Sequence, residues 1–237
     1  MGEGCGNDAD LMDFVSSVNI ACGFHAGDAA TMRETLETAI SKGIAIGAHP
    51  GYRDRENFGR VSMSLSPDEV YDIVVEQITD LRDICKSAGG KLRHVKAHGA
   101  LYNQAAKDAK LSHAIAMAVR AVDDTLILFG LSGSVMIGET ERCGLRSASE
   151  VFADRTYRSD GSLTPRIEAN ALIVETDAAV AQVLQMVRDR TVTATDGSIV
   201  PITADTICIH GDGKNSLEFA RTIQQKLVEN GVEIGPV

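Results

Sequence analysis

Apolar positions along the chain change period repeatedly, from short continuous runs to stripes three and four residues apart. SSVNIAC at 16–22 predicts a strand, and a helix follows from Asp28 with Met32, Leu36, Ala39 and Ile40 on one face. Gly43 stops that helix, and IAIGA at 44–48 predicts the next strand. Ser66-Pro67-Asp68-Glu69 is a strong helix start: a capping hydroxyl, a proline at the first helical position and a glutamate three residues after the serine. Val70, Ile73, Val74, Ile78, Leu81 and Cys85 then keep the helical period until Gly89-Gly90.

The alternation continues. LRHVKA at 92–97 predicts a strand, Leu111, Ile115, Val119 and Val122 stripe a helix, and TLILFG at 125–130 predicts another strand. A helix at 133–143 closes at Gly144, before a strand at 145–149. The stretch 150–171 is irregular, with Asp160-Gly161 and Pro165 marking a turn or hairpin. A helix at about 177–189 shows Val180, Val183, Leu184 and Val187, and Asp196-Gly197 within 191–202 marks a hairpin inserted between β-rich arms. TICIH at 206–210 and a helix at about 216–229 complete the pattern.

Strands alternating with helices imply parallel strands joined by crossovers. The expectation is one α/β domain over 1–237, without linker, low-complexity tract or internal repeat. An open doubly wound sheet and a (β/α) barrel both fit, and in both the functional residues belong just beyond the carboxyl ends of the strands.

Composition narrows the partners. Of 237 residues, 33 are acidic and 23 are Lys or Arg, a formal charge of −10, and no basic cluster stands out to engage a phosphate backbone. Aromatics are 4% and Trp is absent, so no stacking platform for single strands is present either. Nucleic acid is not the expected ligand. Five scattered cysteines without a C-x-x-C pair read as reduced thiols. No apolar run approaches the roughly 18 residues of a membrane span, and no signal segment opens the chain. A cytoplasmic protein without a membrane partner is expected.

Histidines collect where the chemistry should be. His25, His49, His98 and His210 lie at or within three residues of predicted strand ends, accompanied by Asp28, Glu150, Asp154 and Asp212. Glycines flank them in GFHAGD, HPGY, HGALYN and HGDGK, which lets backbone approach a ligand. Imidazoles and carboxylates converging there could exchange protons near neutral pH or ligate a divalent ion. One histidine alone could as easily cap a loop; four at one face of a sheet are harder to dismiss. His94, inside a strand, and His113, on a helix, are read as structural. Arg60 and Arg155 read by default as solvated charge, whereas alternation puts Lys96 on one face with His94 and His98, suited to an anion or a carbonyl.

Several motifs fail. HGDGKNS at 210–216 has Cys208 where a phosphate loop needs its first glycine and Asn215 where it needs Ser or Thr. GEGCG at 2–6 has no preceding strand, and neither H-E-x-x-H nor G-x-S-x-G occurs. Cys22 reads as a buried strand thiol.

NIACGFHAGD (19–28), GAHPGY (47–52), FGR (58–60), HVKAHGALYN (94–103), SEVFADRTY (149–157) and ADTICIHGD (204–212) together resemble the LamB/YcsF family, in order and over nearly the whole chain. The resemblance implies a seven-stranded (β/α) barrel of the glycoside hydrolase/deacetylase kind. Family members usually open with a D-L-N-x-D strand before the Gly-Glu that matches Gly2-Glu3, so a barrel with its first strand missing is the expectation for this chain. Ala97 also stands where the family usually has Pro.

The activity implied is opening of the 5-oxo-L-proline lactam to L-glutamate, driven by ATP in a complex with 5-oxoprolinase subunits B and C. On this reading His25, His49, Lys96, His98, Asp154, His210 and Asp212 are the catalytic candidates, and Asn19, Arg60, Tyr102, Glu150 and Arg155 the substrate-binding ones. One of His49, His98 or His210 would be the base, oriented by Asp154 or Asp212, with Lys96 and Arg155 on the substrate carboxylate or phosphate. Two rivals stand beside it: a stand-alone metal-dependent amide hydrolase or deacetylase, and a non-catalytic subunit that presents lactams to its partners.

Overall fold

The computed structural model describes residues 1–213 and 215–237; Lys214 of the HGDGK motif lies outside the described residues. The chain forms two compact units, Met1–Gly130 with Ser134–Ser147, and Leu131–Gly133 with Ala148–Val237.

The first unit runs α1 (Asp8–Leu11), β1 (Ser17–Ala21), α2 (Ala29–Ser41), β2 (Ala45–His49), α3 (Pro67–Ser87), β3 (Leu92–Lys96), α4 (Gly99–Ala105), α5 (Ala109–Val122), β4 (Ile127–Leu131) and α6 (Val135–Arg142). Its strands pair in parallel in the order β1-β2-β3-β4. Register sets Ala21 beside His49, Gly47 beside His94, and Lys96 beside Phe129. Parallel strands are covered by their crossover helices, so Ile20, Ala48, Val95 and Leu128 are all fully buried.

The helix starts follow the sequence signals. Ser66 Oγ accepts from the Glu69 amide while the Glu69 carboxylate accepts from the Ser66 amide, a reciprocal cap that contributes about 1 kcal/mol. Asp28 caps α2 by accepting from the Thr31 amide and hydroxyl. That carboxylate is exposed and committed to the helix end, which takes it out of the strand-end cluster. Val70, Val74, Ile78, Leu81 and Cys85 form the buried stripe of α3, each large aliphatic side chain contributing about 1.5–3 kcal/mol.

The second unit contains β5 (Arg146–Phe152), α7 (Thr176–Arg188), β6 (Thr191–Thr193), β7 (Ile199–Pro201), β8 (Thr206–Cys208) and α8 (Ser216–Glu229). β5 and β8 pair in parallel, Phe152 beside Cys208, and β6–β7 is the antiparallel hairpin expected at 191–202. β5 runs three residues past the expected 145–149, because Glu150, Val151 and Phe152 find ladder partners in Thr206, Ile207 and Cys208. Glu150 therefore sits within the strand. On α7 the buried residues are Ala179, Val183 and Met186, so the packed stripe is centred one residue away from the expected Val180 and Val187. The irregular 150–171 stretch folds back through single bridges, Tyr157 with Leu163 and Arg155 with Leu172.

Candidate functional site

In the first unit three strand ends deliver three imidazoles to one place. His25 follows β1, His49 is the last residue of β2, and His98 follows β3 as the residue before α4. The His25 and His98 rings stack with centroids 3.7 Å apart and 1° between planes, and His49 stands edge-on to both. Gly59 makes this possible. Its φ of +61° suits glycine, and a Cβ there would lie 2.9 Å from His25 Cβ and 3.0 Å from the His98 ring.

Hydrogen bonds hold each ring. His49 Nδ1 lies 2.7 Å from the Lys96 carbonyl, His98 Nε2 lies 2.8 Å from the Phe58 carbonyl, and His98 Nδ1 is 3.1 Å from His49 Nε2. Phe58 reaches that position with φ +55°, a left-handed conformation that costs a non-glycine residue of order 1 kcal/mol. His25 Nε2 lies 3.1 Å from Glu3 Oε1. Burial, reinforced by the neighbouring His98 and Lys96 charges, holds His49 well below the ordinary imidazole range, and burial beside His25 pushes His98 down to about 3. Burial alone would raise Glu3, but the hydrogen bond from His25 and the surrounding positive charge outweigh it and hold the carboxyl at about 2. At neutral pH His49 and His98 are thus neutral imidazoles beside the Glu3 carboxylate. Glu3, His49 and His98 each present one donor atom, all within 4.8 Å of one another, so these three could hold a metal ion.

Glu3 was not among the residues expected here, since GEGCG reads only as a glycine-rich loop. The signal available was the matched Gly2-Glu3 pair, whose carboxylate is the one acidic group in that segment. Gln77 was missed too. It interrupts the apolar stripe of α3, is fully buried, and exchanges hydrogen bonds with the Gly51 amide and carbonyl, fixing the HPGY loop.

Of the other candidates in this unit, Lys96 is buried at the end of β3 with its ammonium 5.7 Å from the Tyr102 ring centroid on α4. Arg60 is exposed, its guanidinium 4.8 Å from the Phe58 ring. Asn19 lies deeper, on β1, where its Oδ1 accepts from His94 Nε2 at 3.0 Å. Cys22 is the buried thiol expected, pushed up to about 12 by burial.

His94 makes the fold acid-sensitive. Burial, then the Lys96 and Arg93 charges, pushes it down to about 3 from the ordinary 6.5. Between these values the unfolded chain binds the proton and the folded chain does not, so stability falls as pH falls. This residue alone is expected to remove about 1.4 kcal/mol per pH unit below the unfolded value, or about 2 kcal/mol at about pH 5. Urea unfolding of wild type and His94→Gln across that range checks it. The variant should lose that part of the slope; an identical slope would assign the proton elsewhere.

The second unit holds an acid–imidazole dyad. His210 Nδ1 lies 2.9 and 2.8 Å from the two Asp154 oxygens, and the His210 amide also points at Asp154. Burial would raise Asp154, but His210 beside it outweighs that and holds the carboxyl below its usual range. A carboxylate accepts only, so Nδ1 carries the hydrogen and Nε2 keeps its lone pair when the ring is neutral. Asp212 is exposed and Glu150 is buried. Arg155 departs from the expectation of surface charge: it is 4% exposed and donates to the carbonyls of Ala171 and Thr164. Those contacts tie the 155–172 loop together.

Known proteins resemble this chain in sequence and in fold. The model of the LamB/YcsF family matches residues 1–237. A protein of Bordetella parapertussis, named as the A subunit of 5-oxoprolinase, is 54% identical over 229 residues, covering 97% of this chain and 91% of its own. One of the same name from Geobacillus kaustophilus is 55% identical over 225 residues, covering 95% and 88%. The solved structure of a lactam utilization protein from Thermus thermophilus superposes with a TM-score of 0.92 at 42% identity, covering 98% and 93%. The fold class is the α/β, (β/α)-barrel type that the family resemblance implied, where strand–helix alternation by itself left an open doubly wound sheet equally possible.

Proposed function

The chain belongs to the LamB/YcsF family, and from that premise we propose that it is the A subunit of an ATP-dependent 5-oxoprolinase, opening 5-oxo-L-proline to L-glutamate with partner subunits B and C. The observation that carries this reading is the identity of 54% and 55% to relatives of that name over nearly the full chain. The reduced cysteines suit a cytoplasmic setting. Among the described residues no helix is long and apolar enough to cross a membrane.

A lactam amide is a poor electrophile. Transfer of the ATP γ-phosphoryl group to the lactam oxygen, releasing ADP, makes the ring carbon attackable. Water then adds to that carbon, giving its proton to His210 Nε2 while Asp154 holds Nδ1–H. The ring C–N bond breaks as the nitrogen takes that proton back and leaves as an amine. A second water hydrolyses the remaining acyl phosphate to carboxylate and phosphate, so atoms and charge balance.

The Glu3, His49 and His98 geometry favours one alternative, a metal-dependent amide hydrolase that needs no ATP. Glutamate release from 5-oxoproline by this chain with subunits B and C, with and without ATP, separates the two. ATP-dependent release that requires this chain is the expected result. Release by the chain alone without ATP would establish the alternative, and no release with verified partners would overturn the proposal.

A further inference from the structure

We infer that Glu3, His49 and His98 form a binding site for one divalent first-row transition ion of zinc-like preference. The argument is one of hydrogens. A backbone carbonyl can only accept, so His49 must place its hydrogen on Nδ1, facing the Lys96 carbonyl, and His98 must place its hydrogen on Nε2, facing the Phe58 carbonyl. As neutral rings, both then turn a bare lone pair toward the other across 3.1 Å, between His49 Nε2 and His98 Nδ1. Two lone pairs at that distance repel unless a cation lies between or beside them.

The third donor is in place. Glu3 Oε1 is 3.7 Å from His98 Nδ1, and the three donor atoms all lie within 4.8 Å of one another. A tetrahedral ion with ligands about 2.0–2.1 Å away separates neighbouring donors by roughly 3.3 Å, close to the 3.1 and 3.7 Å edges that meet at His98 Nδ1. Two imidazoles and one carboxylate make up a known three-ligand zinc set that leaves one position open. The outer contacts fit as well. Metal-bound histidines commonly donate their other ring hydrogen to a carbonyl or carboxylate, and ligating carboxylates are themselves hydrogen-bonded. Here the two carbonyls serve His49 and His98, and His25 Nε2 donates to Glu3. An ion in this position would act as a Lewis acid toward an amide or phosphoryl oxygen.

This inference does not depend on the oxoprolinase reading. The rival occupant is a single proton shared by His49 and His98, which satisfies the same lone pairs. The test strips the full chain with chelator, then titrates Co²⁺ as the probe, following visible absorption and bound stoichiometry, with Zn²⁺ as competitor. The expected result is one equivalent per chain, displaced by Zn²⁺, with imidazole ¹⁵N shifts at His49 Nε2 and His98 Nδ1. Glu3→Gln, a change of one atom at a partly exposed side chain, should weaken binding roughly 10–100-fold or more without altering the circular dichroism. Absence of stoichiometric binding would leave the shared proton and overturn the site. Binding that Glu3→Gln does not weaken, or that shifts other nitrogens, would also overturn it. A chain that binds the ion but releases no glutamate refutes the proposed function alone; one that releases glutamate without binding refutes only this site.

Discussion

Replacing Asp154 by Asn is expected to cut ATP-dependent glutamate release by roughly 10³–10⁴-fold while the chain stays folded. The cause is the tautomer. Asp154 accepts from His210 Nδ1 with both oxygens, which leaves Nε2 bare. An asparagine in the same place can donate its amide hydrogen to Nδ1, and the ring then carries its hydrogen on Nε2, where the base is needed. Shape and volume hardly change, so the loss should fall on kcat rather than on expression or melting. His210→Ala should lose about as much, and the double variant little more, because the two side chains act as one device. Release near the wild-type level from folded His210→Ala would remove this dyad from the chemistry and favour a subunit that only presents the lactam.

What could be read from the sequence divides along physical lines. The Ser66–Glu69 cap and the Asp28 cap are local, since donor and acceptor lie within three residues of each other. The strand-end rule gathered His25, His49 and His98 because parallel strands within the first unit put their βα loops on the same side, and it set His210 just past β8 in the second. Partner identity was hidden, because it depends on contacts between distant segments. Glu3 meets His25 across 22 residues, and Asp154 meets His210 across 56. Arg155 looked like surface charge because the carbonyls that bury it belong to a loop without periodic pattern. The seven-residue α4 was not expected, since Gly99 at its start masks a helix whose Leu101, Tyr102 and Ala105 are buried by tertiary packing.

Gly47→Ala carries the largest expected effect on stability, about 2–5 kcal/mol of destabilisation. On grounds of backbone freedom alone, alanine in a strand should help by roughly 0.5–1 kcal/mol, so the sign of the result is diagnostic. Asn19, Gly47 and His94 share a row across β1, β2 and β3. His94 spans the bare glycine to donate to Asn19 at 3.0 Å, and a Cβ at Gly47 would lie 2.1 Å from His94 Nε2. The ring cannot simply retreat, because Phe129 is stacked on it with centroids 4.2 Å apart. It must break a buried hydrogen bond or push the strands apart. A double-mutant cycle isolates the cause. In a His94→Ala background the space above Gly47 is empty, and Gly47→Ala should then cost less than about 1 kcal/mol in urea unfolding. Equal costs in the two backgrounds would show that the strain lies in the strand itself and not in the histidine that crosses it.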